Sequence, residues 1–156
     1  MGMENGRQHY SSEKMKGFRK IESQGTLLAE VQDFMCGEVF GQEGVCNAVA
    51  RTVVRAESGL NDPNRPAGVL FFVGPTGVGK TESGLSLARF LKEKKKESNS
   101  MVINCPEFSQ EGSITRILGG APTWVGYGDE TLITRDFLSK PNVIIFDDIE
   151  KANPEF

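Results

Sequence analysis

The stretch Gly74-Pro75-Thr76-Gly77-Val78-Gly79-Lys80-Thr81 decides how the rest of the chain is read. It fits G-x-x-x-x-G-K-[ST], the pattern of a loop that wraps phosphates. Before it, Val69-Leu70-Phe71-Phe72-Val73 is a continuous apolar run of strand length, expected to be the first core strand. After it, Glu82 to Lys96 reads as a helix, with Leu85, Ala88 and Leu91 on one face and Leu87 and Phe90 beside it. In such a strand–loop–helix unit the glycines admit positive φ angles and turn successive N–H groups toward an anion. The positive end of the helix dipole adds to that field. Lys80 then reaches the β- and γ-phosphates and the Thr81 hydroxyl ligates Mg²⁺. These residues imply a nucleotide-phosphate site.

Downstream, Met101-Val102-Ile103-Asn104 reads as a second strand and Asn142-Val143-Ile144-Ile145-Phe146 as a third, which ends in Asp147-Asp148. An apolar strand closed by two carboxylates complements a phosphate loop: Asp147 takes the metal role, through water, and Asp148 orients the attacking water. Both motifs fall at carboxyl ends of strands, where open α/β sheets gather their ligands. Helices are expected at Leu27–Met35, Glu43–Glu57, Ser113–Leu118 and Thr131–Lys140, with Val45, Ala48, Val49, Val53 and Ala56 as the buried stripe of the second of these. The breaker-rich Gly59–Pro66 is an exposed connection. Strands alternating with helices predict an α/β fold with a parallel sheet flanked by helices. Residues 1–25, polar and charged, read as a flexible tail ahead of a single module over 26–156.

Composition fits one soluble domain: 156 residues, 38% hydrophobic, net charge −3. That charge gives no general reason to expect nucleic acid or an anionic membrane as partner. No apolar run approaches the ~20 residues of a membrane helix. Cys36, Cys46 and Cys105 lack metal-ligand spacing and His9 lies in the polar tail, so reduced thiols in the cytoplasm are the expected state.

The run Gly74 to Glu82, the phrase Phe146-Asp147-Asp148-Ile149-Glu150-Lys151-Ala152-Asn153-Pro154-Glu155-Phe156 and the loop Gly119 to Tyr127 together resemble the Clp-type AAA+ unfoldases and disaggregases. The likeness is to the second ATPase domain of the ClpA, ClpB and ClpV group, and Val39-Phe40-Gly41-Gln42 and Gly59–Pro66 extend it upstream. It implies a P-loop NTPase of AAA+ type that binds ATP and Mg²⁺ and works as a homo-hexamer on client polypeptides. It also implies that Glu82 belongs to the nucleotide-binding run. By that resemblance Trp124 is the gripping aromatic of a pore loop, with Val125, Gly126 and Tyr127 beside it; a Trp that plugs the core is the alternative. An aromatic on a glycine-flanked loop offers large, sequence-tolerant contact. The resemblance also places Val39 and Phe40 near the adenine, and the two residues read equally as core.

Some positions depart from the family pattern. Asp148 stands where the family has Glu, and losing one methylene draws the carboxylate back by about 1.5 Å, enough to weaken water activation by ~10²-fold. Asn104 stands for a usual Asp, Glu130-Thr131-Leu132-Ile133-Thr134 replaces a Gly-Gly-Gln-Leu-Thr segment, and Leu138-Ser139-Lys140 replaces an Arg-rich helix end. Family domains continue with further strands, a sensor residue, an arginine finger and a helical lid. The chain is therefore expected to be the front part of a longer ATPase domain, poorly stable and self-associating alone. Hydrolysis is expected in the full ring and weak or absent in this chain, with a non-hydrolysing nucleotide-binding assembly module as the alternative. A small-molecule kinase also uses such a loop, but nothing here supplies an acceptor site.

Overall fold

The computed structural model describes residues 24–59, 61, 62, 64–111, 113, 115–119, 131–154 and 156. It forms two compact units, Met1–Val78 and Gly79–Phe156.

In the first unit, α1 spans 24–38 and α2 spans Glu43–Glu57. Val31 and Met35, four residues apart, are the fully buried positions of α1. The Val39 N–H closes its last turn on the Met35 carbonyl at 2.8 Å, and Gly41 (φ 72°) turns the chain into α2. The α2 bounds agree with the sequence, but its buried line is Cys46, Val49, Ala50 and Val53. Ala48, expected inside, is exposed, and Val45 and Ala56 are half-buried. The stripe is rotated because Cys46, a small and apolar thiol, packs as a core residue. Burial and a hydrogen bond with Cys36 push the Cys46 thiol up to about 11. Beyond α2, an Asx turn at Asp62 (Asn64 N–H to Oδ1, 2.9 Å) shapes the exposed connection foreseen there.

Residues 69–73 correct the sequence reading. They do not form a strand, and Val69, Phe71 and Val73 are 83%, 76% and 82% exposed. The apolar run is present; a hydrogen-bonded neighbour for it among the described residues is not.

The second unit begins with α3 (Lys80–Lys94), followed by β1 (Asn99–Asn104), a 3₁₀ turn at Cys105–Phe108, α4 (Thr115–Leu118), α5 (Arg135–Ser139), β2 (Asn142–Asp147) and a 3₁₀ turn at Ile149–Lys151. β1 and β2 pair in parallel, in register from Asn99↔Asn142 to Asn104↔Asp147. Parallel pairing bears out the expected α/β class. Helix α3 packs on β2, and its most buried positions are Ser83, Ser86, Ala88 and Phe90, with Leu85, Leu87 and Leu91 half-buried. Small side chains line the inner face because the approach is close. A Cβ placed on Gly84 would lie 3.0 Å from both Cδ1 and Cγ1 of Ile145.

Ile103, Cys105, Phe108 and Ile117 form the buried cluster of this unit, with Met101, Ile133, Ile144, Ala152 and Phe156 packed on it. The two 3₁₀ turns that follow the strands are tied together. Asn153 N–H donates to the Phe108 carbonyl at 3.0 Å, and the Phe156 ring lies 5.8 Å from Phe108 and 5.7 Å from Phe146.

Two predicted helices come out shorter, Ser113–Leu118 as Thr115–Leu118 and Thr131–Lys140 as Arg135–Ser139. The Thr131–Lys140 helix begins only after Thr134, whose hydroxyl caps it by accepting from Phe137 N–H. Upstream of the cap, Leu132 and Ile133 donate their N–H groups to the Arg116 and Ile117 carbonyls at 3.1 Å each. Those bonds cap the carbonyl end of α4 and hold 131–133 out of helical form.

Candidate functional site

The eight residues of the phosphate-loop pattern divide between the two units. Gly74 to Val78 close the first, where Gly77 has φ 85°, a conformation that L side chains avoid. The second opens on Gly79, the residue before α3, with φ 91° and ψ 18°. Its carbonyl accepts both the backbone N–H and the hydroxyl of Ser83, at 2.8 Å each, so the first turn of α3 is doubly fastened. Lys80 and Thr81 are the first helical residues. Glu82, in the same turn, complements the helix dipole and pairs with Arg89 about two turns further along the same face.

Thr81 meets Asp147 across 66 positions of sequence. The Thr81 Oγ1 hydroxyl donates to Asp147 Oδ1 at 2.8 Å in a part-buried setting. Two structural choices make that contact. The first turn of α3 fixes Thr81, and β2 carries Asp147 to its carboxyl end opposite Asn104 of β1. The absence of a side chain at Gly84 keeps helix and strand close enough for the bond. A hydroxyl and a carboxylate are hard oxygen donors, and the pair fits Mg²⁺ held with phosphate oxygens and water.

Asp148 follows with φ 54° and ψ 44°, the non-glycine residue with positive φ among those described. Asp tolerates this left-handed region better than most residues, yet it costs energy and gathers at functional sites. The turn places the Asp148 carboxylate on Lys151, with Nζ 2.5 Å from Oδ2. That hydrogen bond and the negative charge of Asp148 push the Lys151 ammonium up from its ordinary value. Burial pushes the Cys105 thiol up, and the charges of Asp147, Asp148 and Glu150 add to it, so the negative field at the end of β2 is felt beneath the site.

The structure thus brings together Thr81 and Asp147 and sets Asp148 beside them on the chain. The two residues considered for the adenine differ: Val39 is 5% exposed and Phe40 84%. Trp124, Val125, Gly126 and Tyr127 lie outside the described residues. Sequence reasoning missed Gly84 and Lys151. An apolar-periodicity reading passes over a glycine in a helix, and the signal for Lys151 was its three-residue spacing from an acid at a strand end.

A model of the family described as AAA domain (Cdc48 subfamily) matches residues 65–156 of this chain. The chain belongs to that family. The match spans both halves of the phosphate-loop pattern and the Asp147-Asp148 pair. The chain is also similar to the chaperone protein ClpB of Rhizobium meliloti, 40% identical over 138 residues. ClpB of Nitratidesulfovibrio vulgaris is 38% identical and that of Vibrio cholerae 37%. In each case the aligned part covers 88% of this chain and 16% of the relative. The fold is therefore that of a Clp-type AAA+ domain, as the motifs implied. Among the described residues no helix is long and apolar enough to cross a membrane.

Proposed function

We propose that this chain is the ATP-binding part of a Clp-type AAA+ chaperone, whose ATP hydrolysis in a complete homo-hexameric ring drives the unfolding or disaggregation of client polypeptides in the cytoplasm. The observation that carries the reading is the 2.8 Å bond between Thr81 and Asp147. It joins the last residue of the phosphate loop to the acidic strand end, as one Mg²⁺-nucleotide site requires. The ClpB names of the relatives supply the chaperone part.

In this reading the amides of Gly74 to Lys80, with the loop glycines, bind the phosphates and the Lys80 ammonium steadies their charge. Thr81 and Asp147 hold Mg²⁺, which when bound supplies neutralisation of phosphate charge. Asp148 orients a water by accepting its hydrogen bond. The short side chain of Asp148 favours slow turnover in this chain, and the arginine that completes charge stabilisation would come from a neighbouring subunit. Trp124, Val125, Gly126 and Tyr127 form the loop that grips the client.

A second reading, a nucleotide-holding assembly module without turnover, draws on the short Asp148 side chain at the strand end. Phosphate release by the wild type, Asp148→Asn and Asp148→Glu separates the two. The leading reading expects slow wild-type release that Asp148→Asn lowers to a small residual rate and Asp148→Glu raises by up to ~10²-fold. Release indistinguishable from buffer in all three, with ATP bound, establishes the module reading.

A further inference from the structure

We propose that Lys151 is a positioning residue for Asp148, fixing one carboxylate oxygen so that the other faces the attacking water; this rests on the nucleotide reading above. Three observations converge on it. Asp148 sits in a left-handed conformation that turns its side chain away from the alternation of β2. The turn that begins there is closed twice by the same residue: Lys151 N–H donates to the Asp148 carbonyl at 2.9 Å, and Lys151 Nζ donates to Asp148 Oδ2 at 2.5 Å. The backbone bond therefore brings ammonium and carboxylate together without ordering a distant segment.

The turn is in turn anchored. Asn153 N–H bonds the Phe108 carbonyl at 3.0 Å, and Phe156 packs between Phe108 and Phe146. A carboxylate on a single methylene swings through a wide arc unless something holds it, and catalytic groups need supporting contacts to stay within a fraction of an ångström of productive geometry. With both partners about half exposed, the pair adds little to stability. Its consequence is the direction of Oδ1, which the ammonium leaves available.

Asp148 lies directly after Asp147, whose Oδ1 accepts from Thr81. In the proposal, the carboxylate held at Oδ2 keeps its second oxygen for a water on the nucleotide bound at the Thr81–Asp147 pair. The same residue explains how an acid shorter by one methylene than the family's keeps a defined orientation.

The test compares wild type, Lys151→Ala, Lys151→Arg, Asp148→Asn and the double variant Lys151→Ala/Asp148→Asn, all in the full chain. Phosphate release is measured at saturating Mg·ATP, and Kd is measured with a fluorescent ATP analogue. We expect Lys151→Ala to lower kcat about ten-fold, short of the ~10²-fold that a displacement near 1 Å produces, with Kd unchanged. Lys151→Arg, which keeps the donor, restores most of the rate. In the Asp148→Asn background Lys151→Ala changes nothing further. Equal kcat in wild type and Lys151→Ala, including none in either, overturns the proposal while intact analogue binding leaves the nucleotide reading standing. So does a further fractional loss in the Asp148→Asn background. Failure of the wild type to bind the analogue overturns both.

Discussion

Val69-Leu70-Phe71-Phe72-Val73 and Val143-Ile144-Ile145-Phe146 are near-equivalent as sequence: short, apolar and rich in β-formers. In the structure they differ completely. The second is a strand, paired residue by residue with β1 and covered by α3. The first forms no strand with any described residue, and three of its five side chains lie open. What separates them is company. A strand's stability comes from cross-strand pairs and from burial of one or both faces, and its own composition only permits it.

That contrast is most easily broken by hydrogen exchange. Amides of Ile144 to Phe146 should be protected by the free energy of opening the second unit, and those of Phe71 to Val73 should exchange at close to the rate of an open chain. Equal protection in the two segments would mean that 69–73 has found a strand partner.

Side-chain truncation sharpens the same point. Ile103, on β1 and 2% exposed, should cost about 2–5 kcal/mol as Ile103→Ala, and Phe71→Ala less than about 0.5 kcal/mol, read from urea midpoints. The comparison would fail if both substitutions cost the same.

The closeness of α3 to β2 gives a third prediction. Gly84→Leu must push into Ile145 and should destabilise by about 1–3 kcal/mol. It should also weaken Mg²⁺-dependent ATP binding, because the helix can yield only by drawing Thr81 off Asp147. Destabilisation without any effect on binding would detach that packing from the site.

The smallest effect is one of sign. The Ser86 hydroxyl is buried and has no hydrogen-bond partner among the described residues. Ser86→Ala should therefore leave stability unchanged or raise it by about 1 kcal/mol, since no bond is lost and an unpaired hydroxyl is removed. A clear loss in thermal unfolding would reveal a partner.

Much of the site was legible in the sequence because its chemistry is local. The glycines at 77 and 79, the Lys80-Thr81 pair and the acids closing an apolar run are each fixed by a handful of consecutive residues. Parallel pairing of β1 with β2 followed from the intervening helices. Three things were hidden. Ala48 was read inward and Cys46 passed over because periodicity alone does not say which small residue packs. The Thr131 helix was overextended because the Arg116 and Ile117 carbonyls, which hold Leu132 and Ile133, are distant in sequence. The missing strand at 69–73 was invisible because a partner cannot be read from the run itself.

The central claim of the proposed function is that Lys80, Thr81 and Asp147 serve one phosphate-and-magnesium site. Amide chemical-shift mapping tests it most directly: Mg·ATP is titrated into the chain at millimolar concentration, with Lys80→Ala as reference. The account predicts that the largest shifts fall on Gly77, Gly79, Lys80, Thr81 and Asp147 and vanish in Lys80→Ala. Shifts absent from these amides, or identical in the variant, would contradict it.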